Sequence, residues 1–564
     1  MDRITKSLVK DFLKQQEIES KTESKDFEIF CNYSLVCKEY NDSFSFEDVS
    51  TGINQGIDGI CIIVNGKLVT SIEEIKDLLE INKFLEVLFV FIQAKTSSKF
   101  VGSEIGNFIF TIKDFFSDDP KLNRTEEVNN FLEITKFIFD NSPLMTKGKP
   151  ICKLYYVTIG SWQGDPNLLA VIKNGVDEIK SYNLFKDVIF EPCDANAIQK
   201  YYNKTKEIVN TTFVFKEKIT LPDIKGVKEA YLGIVPFIEF KKIIIDDNDK
   251  IRNIFYDNVR YHLGENPVNN EISKTLTNKE YDFFSVLNNG VTIVAESISS
   301  SGNKFTINNY QIVNGCQTSH VLFNNKYLDG MDNTNIPLKL IGTNDENVKS
   351  KITIATNRQT EIKAEQLAAL SEFQKNLEQY YKTIDGTGQL FYERLTNQYS
   401  SNNSVTKARI ITIPIQIKVF SAMFLNMPHL VSGYYGKVAK NTGEKIFKSD
   451  HVYIPYYTSG LAYYRLESLF KNSSLNAKYK KARYHILMLY RMIINKEEMP
   501  NFNSNKIDNY CDTIIQTLNN PDNCLDTFNK VTEIIDKSAI DINNQKLLYQ
   551  KNNTDLLINT YKSM

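Results

Sequence analysis

Three polar side chains stand in stretches otherwise apolar enough for a buried sheet: Asp58, Gln93 and Lys95. Asp58 follows Gly56-Ile57 and leads into Gly59-Ile60-Cys61-Ile62-Ile63-Val64. Gln93 and Lys95 end the run Phe89-Val90-Phe91-Ile92-Gln93-Ala94-Lys95. The β-branched and aromatic content of both runs is that of buried strands. Side chains alternate along a strand, so Gln93 and Lys95, two apart, share a face. A carboxylate, an amide oxygen and an ammonium converging across a sheet suit a hard cation, a phosphate and an attacking water. Mg²⁺ takes oxygen ligands, usually one or two carboxylates plus substrate phosphate. A nearby lysine orients the water or offsets charge developing on the phosphoryl group. The bland alternative is a polar strand end beside a surface lysine.

The elements that must position these residues follow from local pattern. Residues 3–17 and 25–40 read as helices, 57–64 and 87–95 as strands. Between the strands, 71–82 reads as a helix capped by Ser71 with Glu74 three residues later. Helices over 103–117 and 124–141, strands over 153–160 and 187–192, and a helix from Asp194 complete an α/β order closing near residue 205. Residues 210–250 are strand-rich with a helix near 236–245. Residues 400–564 read mostly as helices: 409–426, 457–472, 476–495, 505–518 and 525–537. Tyr479, Ala482, Ile486, Leu489 and Tyr490 recur at helical spacing, which predicts a core stripe rather than a base-stacking platform.

At 564 residues the chain exceeds one ordinary core, and roughly three to four domains are expected. The boundaries fall at 1–205, 206–400 and 401–564. Lys and Arg number 67 against 68 Asp and Glu, so nucleic acid would have to meet a local cleft rather than a basic surface. No apolar run approaches the roughly 20 residues a membrane helix needs, and the first residues lack a signal-peptide core. Eight scattered cysteines form no CxxC, which favours a reducing cytoplasm over a zinc site or disulfide framework.

A second polar constellation occupies the middle of the chain. Gln311-Ile312-Val313 reads as a strand, Asn314-Gly315 as a turn, and Thr318 or Ser319 as the cap of a helix running through 327. That geometry aims backbone N–H groups and a helix dipole at an anion. Asn289, Asn314, Gln317 and Thr318 could add hydrogen bonds, with His320 two residues further on. Arg260, Asn357, Arg358 and Arg394 stand in amide-rich or apolar text, where bidentate contacts to phosphate or carboxylate are plausible. The alternative is a buried hydrogen-bonded core linking turns.

Asp58 with Gln93-x-Lys95 resembles the PD-(D/E)xK nuclease pattern in its Mrr-type form, where Gln replaces the usual Glu. That family often carries a Glu on the preceding helix, and Glu28 in Asp26-Phe27-Glu28-Ile29-Phe30 matches it. Asn258-Val259-Arg260, Asn288-Asn289-Gly290-Val291-Thr292, Ile312-Val313-Asn314-Gly315-Cys316-Gln317-Thr318, Ala355-Thr356-Asn357 and Tyr392-Glu393-Arg394, in this order, resemble the AIPR (abortive infection phage resistance) family. That likeness runs over roughly 205–470. The AIPR resemblance implies bacterial antiphage defence, with an Mrr-like nuclease domain ahead of the AIPR region. Val313–Thr318 is also similar to the Asp-Gly-Gln-Gln-Arg signature of ParB-like nucleotide-binding modules, but Asn314 and Thr318 replace its acid and base.

The expected fold is therefore α/β: a restriction-endonuclease-like mixed sheet with flanking helices, a central α+β AIPR domain and a mainly α-helical C-terminal region. The expected activity is a Mg²⁺- or Mn²⁺-dependent DNA endonuclease. Asp58 and Gln93 would hold the metal, Lys95 would position the water, and Glu28 would support water at the metal. As the resemblance implies, cutting would leave a 5′-phosphate. DNA, a homodimer and a neighbouring regulatory protein are the candidate partners, with no membrane. Two alternatives stay open: a DNA clamp without chemistry, and nucleotide sensing or processing around Asn289, Asn314 and Gln317.

Overall fold

The computed structural model describes residues 1–40, 44–52, 56–206, 209–246, 249, 251–252, 254–255, 267–345, 348–349, 351–352, 355, 372–394, 398–399, 402, 404–433, 438, 441–542 and 544–564. The first part contains the helices and strands expected from sequence, in order, together with a short strand at Lys67–Leu68 and a helix at Pro166–Ser181. Before the first long crossover come α1 (Arg3–Gln16), α2 (Glu23–Glu39), β1 (Gly59–Val64), β2 (Lys67–Leu68), α3 (Ile72–Asn82) and β3 (Val87–Lys95). After it come α4 (Gly102–Phe115), α5 (Glu126–Asp140), β4 (Ile151–Thr158), α6 (Pro166–Ser181), β5 (Asp187–Cys193) and α7 (Ala195–Lys204). Side chains of Asp2, Thr22, Thr125, Asp165 and Asp194 cap their helices by accepting otherwise orphaned N–H groups. At α3, Ser71 Oγ accepts from the Glu74 N–H at 3.3 Å. The Glu74 carboxylate reaches back to the Thr70 N–H at 2.7 Å, one residue beyond the expected capping-box partner.

The strands form one mixed sheet in the order β2-β1-β3-β4-β5. β1 runs antiparallel to β3, with Gly59 opposite Ile92, and β3, β4 and β5 run parallel. Alternation along β3 sorts its residues between two layers. Val90, Ile92 and Ala94 enter a core with Phe12, Phe27 and Phe30 of α1 and α2. Phe89 and Phe91 take the other face, edge-on to Phe116 and Phe115 at centroid separations of 5.4 and 5.2 Å. Full burial of each such ring contributes roughly 1.5–3 kcal/mol, enough to fix the register that Gln93 and Lys95 inherit.

Contacts divide the described residues into two compact units. One comprises 1–80, 86–205 and 363–564; the other comprises 81–85 and 206–362. In the first, the helices Ile413–Met423, Ile454–Lys471, Arg483–Ile494, Lys506–Asn519 and Pro521–Lys537 share a single apolar core. Phe420 stacks on Tyr456 there, with centroids 4.0 Å apart and planes within 7°. Tyr479, Ala482, Ile486, Leu489 and Tyr490 are all buried in that core. The helical part is tied to the N-terminal part by Arg409 with Glu17 at 2.6 Å and Lys480 with Glu47 at 2.7 Å.

The second unit holds β6 (Asn210–Val214), β7 (Glu217–Thr220), β8 (Glu229–Pro236), α8 (Phe237–Ile244), α9 (Pro267–Thr277) and α10 (Phe284–Leu287). It continues through β9 (Val291–Ser301), β10 (Lys304–Asn314), α11 (Cys316–Asn324) and β11 (Asn335–Gly342). The sheet order is β6-β10-β9-β11-β8-β7. Phe237, Phe240 and Ile243 of α8 share a core with Ile293, Ile312 and Leu338 from the sheet. All eight cysteines are free. Among the described residues no helix is long and apolar enough to cross a membrane.

Candidate functional site

The end of β3 meets the residue ahead of β1. The Asp58 N–H donates to the Ile92 carbonyl at 2.8 Å, extending the β1–β3 ladder by one residue. This places the Asp58 carboxylate against the end of β3. Its Oδ2 accepts from Gln93 Nε2 at 2.6 Å and from the Ala94 N–H at 2.7 Å. Gln93 is 3% exposed, so its amide is fixed by packing as well as by this bond. Glu28 projects from α2 and pairs with Lys25, one turn earlier, at 2.5 Å. Asn32, four residues beyond Glu28, donates from Nδ2 to the Asp58 carbonyl at 2.8 Å. Residues four apart lie on one helix face, so α2 aims Glu28 and Asn32 in the same direction.

Electrostatics couples these groups. Burial raises the pKa of Glu28 from 4.5 to about 7, assisted by the negative charge of Asp58 and opposed by Lys25 and Lys95. Burial also raises Asp58, opposed by the Ala94 N–H, Lys95, Lys25 and the Gln93 amide. The charge on Asp58 makes Glu28 harder to ionise, while the Lys25 and Lys95 ammonium groups favour the charged form of both carboxylates. Among the described residues no three His, Cys, Asp or Glu side chains gather as a metal centre. The donor set is instead two carboxylates beside amide groups, which suits a hard, partly hydrated cation such as Mg²⁺.

The structure thus brings Glu28, Asp58, Gln93 and Lys95 into one electrostatic neighbourhood. Lys25 and Asn32 belong to it and were not singled out from sequence. Their spacing from Glu28, three before and four after on a helix, is the signal that could have found them. Tyr156, the register partner of Gln93 on β4, is also close enough for Asp58 to influence it. Its hydroxyl donates to Glu104 of α4 at 2.8 Å.

In the second unit, α11 begins at Cys316 with Gly315 as its N-cap, rather than at the predicted Thr318 or Ser319. Gln317 and Thr318 therefore lie in the first turn, and Thr318 is 8% exposed. Asn314 pairs in register with Thr292 beyond an irregularity in the β9–β10 ladder. Gly315 packs against Gly290 and Val291, which brings the Asn289-Gly290 turn beside the Asn314-Gly315 turn. Asn289 is exposed. His320 packs against Phe255 with ring centroids 4.7 Å apart and planes tilted by 31°, and burial lowers its pKa to about 4, which favours the neutral ring. Arg394 belongs to the first unit, where it is buried and pairs with Glu378 at 3.1 Å. Arg260, Asn357 and Arg358 lie outside the described residues. The second unit also carries a cavity of about 440 Å³ lined by Thr211, Lys241, Lys242, Arg252, Lys326 and Tyr327 among others. Its three lysines are engaged by Asp332, Glu239 and Asp249.

A family model described as AIPR protein matches residues 255–544. The chain belongs to the AIPR family. The AIPR match takes in the turns at Asn289 and Asn314, the Arg394–Glu378 pair and the helical core. Glu28, Asp58, Gln93 and Lys95 precede it. No curated protein and no solved structure matches this AIPR chain. Membership supports a role in abortive-infection defence against phage.

Proposed function

We propose that this AIPR protein is a Mg²⁺-dependent DNA endonuclease of the PD-(D/E)xK type in its Mrr-like form, acting in the cytoplasm. The observation that carries the reading is the Asp58 carboxylate held by Gln93 and Ala94, with Lys95 close enough to favour its charge and Glu28 close enough to feel it. A divalent cation held by Asp58, with Glu28 and the Gln93 amide oxygen beside it, would supply positive charge to the scissile phosphate. Lys95 orients the attacking water and stabilises negative charge as the water oxygen bonds to phosphorus and the bond to the leaving oxygen breaks. Glu28, raised to about 7 by burial, is divided between its protonated and charged forms near neutrality and can donate or accept a water proton at working pH. The AIPR region and the helical part would govern when the site acts.

A second reading has its own support. The Asp58 oxygen nearest Gln93 already accepts two hydrogen bonds, an arrangement also suited to a DNA clamp that performs no chemistry. Purified protein incubated with circular and linear DNA in Mg²⁺, Mn²⁺ or EDTA separates the two. Metal-dependent nicking that disappears in Asp58→Ala and Lys95→Ala is the expected result. Undiminished cutting by both variants, or equal DNA binding in Mg²⁺ and EDTA with no cutting, would overturn the nuclease.

A further inference from the structure

We infer that Asn32 is a positioning residue that rivets α2 to the backbone at Asp58, and so sets the spacing between Glu28 and Asp58 on which cation capture depends. This deepens the nuclease reading and rests on it. Asn32 is 2% exposed, in the middle of a helix whose other buried residues are mostly apolar. An apolar side chain would be the ordinary choice there, because a buried amide must find partners or lose roughly 1–3 kcal/mol. Only half of this amide is satisfied. Nδ2 donates to the Asp58 carbonyl at 2.8 Å, whereas Oδ1 is buried with no partner. A helix that tolerates such an orphan keeps the residue for its one bond.

The opposite side of the contact is shaped to match. Gly59 follows Asp58 and begins β1. A Cβ at position 59 would fall 2.5 Å from Asn32 Oδ1 and 2.9 Å from Nδ2. Any residue but glycine would push the amide off the carbonyl, so the Gly59 in the Asp58-Gly59 pair is explained by Asn32 rather than by a turn. The chain thus joins three features in series: Glu28 one turn before Asn32 on α2, the Asn32 bond to Asp58, and the Asp58 bonds to Gln93 and Ala94. A ligand pair set by two separate elements is only as well spaced as the contact between those elements, and misplacing ligands by about 1 Å costs a designed or natural site its function.

Calorimetric Mn²⁺ titration and thermal unfolding of the full chain, in parallel with cleavage of plasmid DNA over a range of Mn²⁺, test this. Three variants perturb the contact from both sides: Asn32→Ala, the gentler Asn32→Ser, and Gly59→Ala. The expected result is Mn²⁺ affinity weakened about tenfold or more in each folded variant. Cleavage should be recovered largely by excess Mn²⁺, so that the defect lies in metal dependence rather than in the saturated rate. A lower unfolding midpoint in EDTA with unaltered Mn²⁺ affinity would mean that Asn32 serves the fold alone, and would overturn the inference. Wild-type protein that neither binds Mn²⁺ nor cuts DNA would instead remove the nuclease reading, and the inference would fall with it.

Discussion

Gln93 Nε2 lies 2.6 Å from Asp58 Oδ2, so the Gln93 amide presents a donor to the neighbouring carboxylate. An acid at position 93 would face Asp58 as a second negative charge. An amide there satisfies Asp58 without a cation. Gln93→Ala should lower stability by about 1–3 kcal/mol, the usual cost of leaving a buried acceptor short of a partner. Gln93→Glu should be worse than Gln93→Ala in EDTA at pH 8. The difference should narrow at acid pH, where a protonated carboxyl can donate, and on addition of Mg²⁺. Unfolding midpoints across those conditions check the order; a Gln93→Glu protein as stable as wild type in EDTA at pH 8 would contradict it.

Glu28 supplies a pH dependence with a defined sign. Its pKa rises from 4.5 to about 7 in the folded chain, chiefly through burial. Between those values the folded state binds more protons than the unfolded state. The stability linked to Glu28 is therefore fully present below pH 4.5 and lost as pH rises through about 7. At about 1.4 kcal/mol per pH unit the loss is at most about 3.5 kcal/mol. Glu28→Gln should flatten this slope and be more stable than wild type at pH 8 in EDTA. Parallel pH slopes for the two proteins would sink the assignment.

Arg394 and Glu378 form an ion pair whose side chains are 3% and 8% exposed. Glu378 also accepts from Gln398 Nε2 at 2.8 Å and pairs with Lys382. Removing one member of a buried pair typically costs about 3–5 kcal/mol. Because Lys382 remains beside Glu378, Arg394→Ala should fall at the low end of that range. Arg394→Met combined with Glu378→Leu should restore most of the loss, as seen by chemical denaturation. Failure of the double variant to recover would point to a role for Arg394 beyond this pair.

Gly315 adopts φ of +86°, and a Cβ there would approach the Gly290 carbonyl oxygen to 2.7 Å and Val291 Cα to 2.9 Å. Gly315→Ala therefore meets both backbone strain and a backbone clash, each costing on the order of 1–3 kcal/mol. The variant should unfold at markedly lower denaturant and shift the start of α11. Tolerance of alanine with a cost below about 0.5 kcal/mol would show that the two turns are not packed as closely as described.

The sequence by itself determined the periodic features. Alternation along 87–95 put Gln93 and Lys95 on one face, apolar spacing marked the C-terminal helices, and Ser71 and Asp194 marked the starts of their helices. Those features depend on neighbours a few residues away, which a sequence displays directly. Partner choice was different. That Asp58 would accept from the Gln93 amide, that Asn32 would reach the Asp58 carbonyl, and that Arg394 would be absorbed by Glu378 depended on segments brought together by folding. So did the packing of the helical region with the N-terminal part through Arg409–Glu17 and Lys480–Glu47, although 401–564 reads as a separate region. A polar residue in apolar text announces that it needs a partner. Only the tertiary structure, by deciding which surfaces are buried together, determines which partner it receives.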